Sequence, residues 1–238
     1  MAVLEPLVTD SQRVVVVSPH LDDGPLSLGA GMSAWARSGA RVELLTALAC
    51  DPDSGAPTGG WDARAGFVTE GESARARREE DAAACAILGV VPAWLPYGSV
   101  DYERHGDEHE VAAVVLDAIG EAELVLLPGF PLSHPDHEWL VRALVESAPP
   151  AGGLAFYAEQ PYAARAGNPA ALPAWLAERT GLAPSLAELP GSLRARVAKW
   201  RAVRQYRSQL PLLGLHGLRR GTYVLAWRPE LVTGTWFA

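Results

Sequence analysis

The feature that most narrows the fold is a run of four valines, Val14 to Val17, closed by Ser18-Pro19. β-Branched side chains are stiff at χ1 and suit a pleated strand. A strand with one wet face alternates apolar and polar residues. This run does not alternate, so both of its faces must be covered, as in a parallel sheet between two layers of helices. The same texture recurs at Arg41 to Leu48, Ala93 to Tyr97, Leu124 to Leu127 and Leu154 to Tyr157. Helical patterns fall between these strands. They cover residues 25–38, with Pro25 in the first turn and Gly39 at the stop, then Glu72 to Leu88 ended by Gly89, Glu108 to Ile119, and Pro135 to Glu146.

This alternation predicts an α/β fold: a Rossmann-like, doubly wound, mostly parallel sheet with helices on both faces. No repeat or compositional break divides the 238 residues, so 1–238 reads as a single domain. The Pro- and Ala-rich stretch 161–192 reads as a C-terminal excursion over the sheet. A helix from Ser192 to Gln209 and a late strand from Thr222 to Trp227 follow it. The Gly-, Pro- and Asp-rich loop 49–71 is longer than a simple connection needs, as functional or disordered segments are.

A net charge of −8 argues against a protein that tracks nucleic-acid phosphates. No apolar run approaches the ~20 residues of a membrane span. The N-terminus carries Glu5 and Asp10 and lacks the basic-then-apolar start of a signal peptide. Cys50 and Cys85 lie in apolar surroundings without metal-ligand spacing and read as reduced core thiols. The expectation is a cytoplasmic protein with a small-molecule partner and neither a nucleic-acid nor a membrane partner. Its oligomeric state is open.

Sheets of this kind bind ligands beyond the carboxyl ends of their strands, where the strand order reverses. For the order 3-2-1-4-5 that point lies between the first and fourth strands. Two polar clusters stand there: His20-Leu-Asp22-Asp23 after the first strand and His134-Pro-Asp136-His137 after the fourth. Residues i and i+3 share a face of a helical first turn. His20 and Asp23 can therefore aim at one point, with His137 reaching it from the neighbouring strand. His, Asp and His with a fourth position open is a donor set for a catalytic zinc or a similar divalent ion. Asp22 and His134 remain as an acid–base pair.

Each cluster alone has an ordinary explanation, a hydrogen-bonded core histidine or an acidic helix cap. Together at matching strand ends they are harder to explain so, because burying several unpaired carboxylates is unfavourable without a cation. Gly29-Ala-Gly31-Met-Ser-Ala34 fits the dinucleotide pattern G-x-G-x-x-A. It falls inside the first helix, whereas that motif must occupy the strand-to-helix turn.

Ser18-Pro-His-Leu-Asp-Asp23, followed by Leu26-Ser27 and Gly29, resembles the first signature of the PIG-L/LmbE-like zinc N-deacetylases, and His134-Pro-Asp-His137 resembles the second. Arg77-Arg-Glu-Glu-Asp81 with Ala84 and Leu88-Gly89 is similar to the helix between them. Lys199 with Tyr206-Arg-Ser-Gln209 is similar to a late helix of bacterial members. The resemblance implies Zn2+ held by His20, Asp23 and His137, with other divalent transition metals possible. It implies Asp22 as general base, His134 as the group that polarises or protonates the reacting centre, and Asp136 as its orienter. Arg77 and Asp101 are the implied sugar contacts. Two departures stand out: Gly24 where many members have Glu, and Leu132 where some have a catalytic Tyr.

The implied reaction is hydrolysis of an N-acyl amide, above all an N-acetyl group on an amino-sugar-containing small molecule, by metal-activated water. The rival readings are an amidase that splits a larger thiol conjugate and a metal-binding protein of the same fold that no longer turns over. Trp61, in the long loop, is the candidate platform for a sugar ring.

Overall fold

The computed structural model describes residues 12–102, 106–147, 152–165, 172–181, 186–189, 191–215 and 226–234. In chain order these form β1 (Arg13–Ser18), α1 (Asp23–Arg37), β2 (Arg41–Thr46), α2 (Gly60–Arg64), α3 (Glu70–Leu88), β3 (Val91–Trp94), α4 (Glu108–Ile119) and β4 (Leu124–Phe130). They continue with α5 (Pro135–Ser147), β5 (Gly153–Ala158), α6 (Tyr162–Arg165), α7 (Ala174–Thr180), β6 (Ala187–Glu188), α8 (Leu193–Val203) and β7 (Leu231–Gly234).

The sheet has seven strands in the order β3-β2-β1-β4-β5-β7-β6. The pairs β3-β2, β2-β1, β1-β4 and β4-β5 are parallel, whereas β7 runs antiparallel to both β5 and β6. Strand order reverses at β1 and β4, as anticipated. The valines of β1 divide between the faces. Val14 and Val16 join a core with Leu26, Trp35, Cys85 and Tyr206. Val15 and Val17 join the opposite core with Val111, Leu140, Phe156 and Leu176. So α1, α3 and α8 cover one face and α4, α5 and α7 the other, and all seven residues of β4 are buried.

Local chemistry accounts for the helix ends. Thr69 accepts from the Glu72 N–H at the start of α3, and Asp107 accepts from His109 and Glu110 at the start of α4. Gly89 ends α3 at φ +79°, a left-handed conformation that glycine adopts without a Cβ clash.

Several sequence expectations shift. The long loop contains α2, and α3 starts at Glu70 rather than at Glu72. β3 begins two residues early, at Val91. The 161–192 excursion does more than lie over the sheet: α7 packs beside α5, with Arg142 over the Trp175 ring at 4.3 Å, and β6 joins the sheet edge. The helix expected to reach Gln209 stops at Val203. The chain then turns, and Tyr206, Ser208 and Gln209 reach back toward α3 and the α2 segment instead of following a helix axis. Positions 222–225 of the expected late strand lie outside the described residues. Ala226 and Trp227 are helical, and the described late strand is β7.

Candidate active site

β1 and β4 deliver the two clusters to one end of the sheet. Ser18 turns the first: its hydroxyl donates to the His20 carbonyl at 2.6 Å and accepts from the Gly24 N–H at 2.9 Å. A Cβ at position 24 would lie 2.5 Å from Leu44 Cδ1, so a larger residue here would require the Leu44 side chain to shift. His134 heads the second cluster, its carbonyl accepting from the N–H groups of His137 and Glu138 at the start of α5.

Three atoms converge. Asp23 Oδ2 lies 3.2 Å from His20 Nδ1 and 3.2 Å from His137 Nε2, and those two nitrogens are 3.2 Å apart. Donors ~2.0–2.1 Å from a tetrahedral ion stand about 3.3 Å from one another. His20, His134 and His137 also each offer a ligand atom within 4.8 Å of the others.

Hydrogen bonds behind the rings decide which nitrogens face inward. His20 Nε2 is 2.9 Å from Asp136 Oδ2, and His137 Nδ1 is 2.6 Å from Glu159 Oε2. A carboxylate behind each ring holds a proton on the rear nitrogen, so the nitrogen that faces Asp23 is the one that can give up its proton and become a ligand. His134 differs. Its Nδ1 accepts from the Asp136 N–H at 3.2 Å, which leaves the proton of the neutral ring on Nε2 as a donor.

The electrostatics call for a cation. Asp22, Asp23, Asp136 and Glu159 are all buried here. Burial alone would lower His20, but its hydrogen bonds to Asp136 and Asp23 prevail and raise it to about 9. Burial is likewise outweighed at His137, which the charges of Asp23 and Glu159 hold well above its usual range. At Asp23, His137 and His20 overcome burial and hold the carboxyl well below its usual range. The crevice thus binds protons on its histidines, and the same donors fit a divalent ion in their place. Burial and the neighbouring Asp23 push Asp22 up to about 7. No hydrogen bond to its side chain is seen among the described residues, so the carboxylate is free to meet a ligand. Burial, His20 and His137 lower His134 to about 4, so its ring is neutral.

A cavity of about 350 Å3 opens over these groups, lined by His20, Asp22, Asp23, Arg77, Trp61, Asp101, His134, Tyr162 and Gln209 among others. Arg77 bonds Asp62 at 2.9 Å, and Asp62 also accepts from Tyr102 and from Gln209 Nε2. Trp61 donates through Nε1 to Gln209 at 2.7 Å, and its backbone N–H donates to Asp101 at 3.0 Å. Asp62 therefore binds α2, α3, the loop after β3 and the turn after α8 into one cavity wall. The two weaker sequence similarities interlock behind it, with Tyr206 donating to Asp81 at 2.7 Å and Ser208 to Glu80.

All nine residues singled out from the sequence, Trp61 included, come to this end of the sheet, and the contacts of Asp136 differ from those expected. Asp136 was expected to orient His134. Its carboxylate holds His20 instead, and it accepts from Ser99, Val100 and Trp139. It stands 3.8 Å from His134 Nδ1, which is oriented by the Asp136 backbone. Leu132 is buried and lies at φ +49°, whereas Tyr162 lines the cavity with its ring edge-on to His137 at 5.7 Å. Sequence reasoning missed Glu159 and Ser99. The one hint of Glu159 is its place directly after the carboxyl end of β5, the parallel neighbour of β4, and a lone acid there is not distinctive.

The family model described as GlcNAc-PI de-N-acetylase, PIG-L, matches residues 15–148, a span that contains both clusters. No curated protein matches the sequence. Among solved structures, a triple mutant of a deacetylase from the teicoplanin biosynthetic pathway is 26% identical over 94% of this chain and 97% of its own, with a TM-score of 0.74. The A40926 pseudoaglycone deacetylase Dbv21 is also 26% identical, over the same shares, with a TM-score of 0.74. The N,N'-diacetylchitobiose deacetylase from Pyrococcus horikoshii shares the fold at 20% identity, over 84% of this chain and 71% of its own, with a TM-score of 0.51.

Proposed function

The chain belongs to the PIG-L family of GlcNAc-PI de-N-acetylases, and on that premise we propose that it is a zinc-dependent N-deacetylase acting on an N-acetylated amino sugar within a small molecule or natural product. The observation that carries this reading is the triangle of His20 Nδ1, Asp23 Oδ2 and His137 Nε2, with 3.2 Å edges, beside an Asp22 carboxylate that no described residue hydrogen-bonds. His20, Asp23 and His137 would hold the ion. We prefer this set to the three histidines because the Nδ1 of His134 is taken by a backbone donor. Bound there, a divalent ion supplies Lewis-acid polarisation and eases the ionisation of water at neutral pH.

The chain's own residues supply the rest. Asp22 accepts the proton of the water that attacks the acetyl carbonyl. Its carboxylate has no hydrogen-bond partner among the described residues and lines the cavity, so it is placed to take that proton. His134, neutral and carrying its proton on Nε2, donates to the carbonyl oxygen as charge develops there. Asp22 then returns its proton to the departing amine. Asp136 and Glu159 keep the two histidines from turning. Arg77, Asp101 and Trp61 face the sugar from the cavity wall. The relatives named as deacetylases of glycopeptide-pathway compounds and of diacetylchitobiose support a sugar-bearing substrate for this chain.

The test is acetate release from a panel of N-acetylglucosaminyl compounds with differing aglycones, with and without chelator. Release that stops with chelator and returns with Zn2+ is the expected result. Asp22→Ala should lower kcat by about 10²–10⁴-fold while zinc stays bound. In the wild type, kcat/KM should fall on the acid side as Asp22 takes up a proton. Near-full activity in Asp22→Ala would remove it as the base.

A further inference from the structure

α1 is broken near its start. Leu28 sits at φ −120°, ψ 15°, outside helical values, and separates a short first segment from the rest of the helix. That segment begins with Asp22 and Asp23, the residues assigned above as base and ligand. In an unbroken helix the N–H groups of Ala30 and Gly31 donate to the carbonyls of residues 26 and 27. Here both are drawn to the Glu230 carboxylate, at 2.8 and 2.6 Å. Lys199 bridges the break from the other side, with Nζ 3.1 Å from the Ser27 carbonyl and 2.7 Å from Glu230. Lys199 has no exposed surface and Glu230 is buried, so this is a water-excluded ion pair built on a helix break.

The glycines that mimic a dinucleotide fingerprint make room for it. A Cβ on Gly29 would lie 2.9 Å from Lys199 Cγ, and one on Gly31 would lie 3.1 Å from Glu230 Oε2. The Ser27 hydroxyl accepts from the Gln160 N–H at 3.0 Å. This ties the same segment to the exit of β5, where Glu159 holds His137.

We propose that Lys199 and Glu230 are positioning residues that clamp the break in α1 and so hold Asp22 and Asp23 in place against His20 and His137. Leu28 interrupts the helical ladder, so the direction of the first segment depends on this clamp. A buried ion pair is weak as a source of stability. Its four hydrogen bonds to α1 and across the pair set a direction. The inference rests on the hydrolase reading above, since it concerns residues assigned there.

The test is the double variant Lys199→Met/Glu230→Leu, which removes the pair without stranding a buried charge. Zn2+ affinity is measured by chelator competition, the Co2+ absorption spectrum reports ligand geometry, and kcat and KM are measured on folded protein. Zinc affinity and kcat should each fall by about tenfold or more, KM should change little, and the cobalt spectrum should shift. A folded double variant with wild-type zinc affinity, cobalt spectrum and kcat overturns the proposal. If the double variant does not fold, Gly29→Ala decides, because its Cβ must displace Lys199. A fall of zinc affinity and kcat in that variant supports the clamp, and wild-type values overturn it. Wild-type protein that binds zinc but releases no acetate overturns the substrate reading alone and leaves zinc affinity and the cobalt spectrum to decide the clamp. Wild-type protein that binds no divalent ion overturns both.

Discussion

His137 shows how much of a residue's chemistry lies behind it. Its ring is fully buried, and among the described residues the Glu159 carboxylate, 2.6 Å from Nδ1, fixes which nitrogen faces Asp23. Glu159→Gln keeps the shape and removes the charge. Its amide can offer a donor where the ring needs an acceptor, which permits the wrong tautomer. Zinc affinity, measured by chelator competition, should fall about 10–100-fold in this variant. Asp136 stands behind His20 in the same way and has further donors of its own in Ser99, Val100 and Trp139. His20, Asp22, Asp23, His134, Asp136 and His137 were legible in the sequence because they form two compact clusters beside strand ends. Glu159 was not. It stands alone, and an acidic residue after a strand has no distinctive neighbour. The pairing of Asp136 with His20 was also hidden, because the two residues are 116 positions apart and meet only when β1 lies beside β4.

At the scale of elements, the cavity wall rests on α2, a five-residue helix that the sequence presented only as part of a long loop. Asp62 is buried at its centre and takes hydrogen bonds from α3, from Tyr102 and from Gln209. Trp61 is held at the cavity by its indole N–H and its backbone N–H, while Arg64 lies over its ring at 5.0 Å. On the proposed function, a ring fixed in this way would contact the sugar in the ground state. Trp61→Ala should therefore raise KM about tenfold while kcat changes less than about threefold, as expected when uniform binding is lost. Steady-state kinetics on the best N-acetylglucosaminyl substrate gives the split. A fall confined to kcat would place Trp61 in the structure of the wall and not in binding. The length and composition of loop 49–71 set it apart as a functional or a disordered segment. That it wraps around Asp62 was unreadable, because the residues that satisfy this carboxylate come from three distant parts of the chain.

For the molecule as a whole, the site is one of several places where burial opposes charge. Asp81 on α3 has no exposed surface, and burial pushes it up to about 6 from an ordinary 3.8, even though Trp94 and Tyr206 donate to it. The folded chain therefore binds this proton more tightly than the unfolded one. The contribution is present below about pH 4 and is lost as pH rises through about 6. A shift of two units corresponds to about 3 kcal/mol of unfolding free energy. Urea unfolding of the wild type and of Asp81→Asn, compared at pH 4.5 and pH 7, should show the difference between them changing by that order. A pH-independent difference would mean that the carboxyl ionises normally in the folded protein. The same sheet that buries Asp81 also brings the clusters together, and the two kinds of information separate here. The sequence alone determined the layered α/β plan, because unbroken apolar strands and 3.6-residue periodicity are local consequences of which faces must be dry. It also determined the two clusters, because their members are adjacent in the chain. Only the tertiary structure decided which carboxylate serves which histidine, what closes the cavity and what braces α1. Those partners are distant in sequence, and a hydrogen bond depends on final atomic positions that no local pattern encodes.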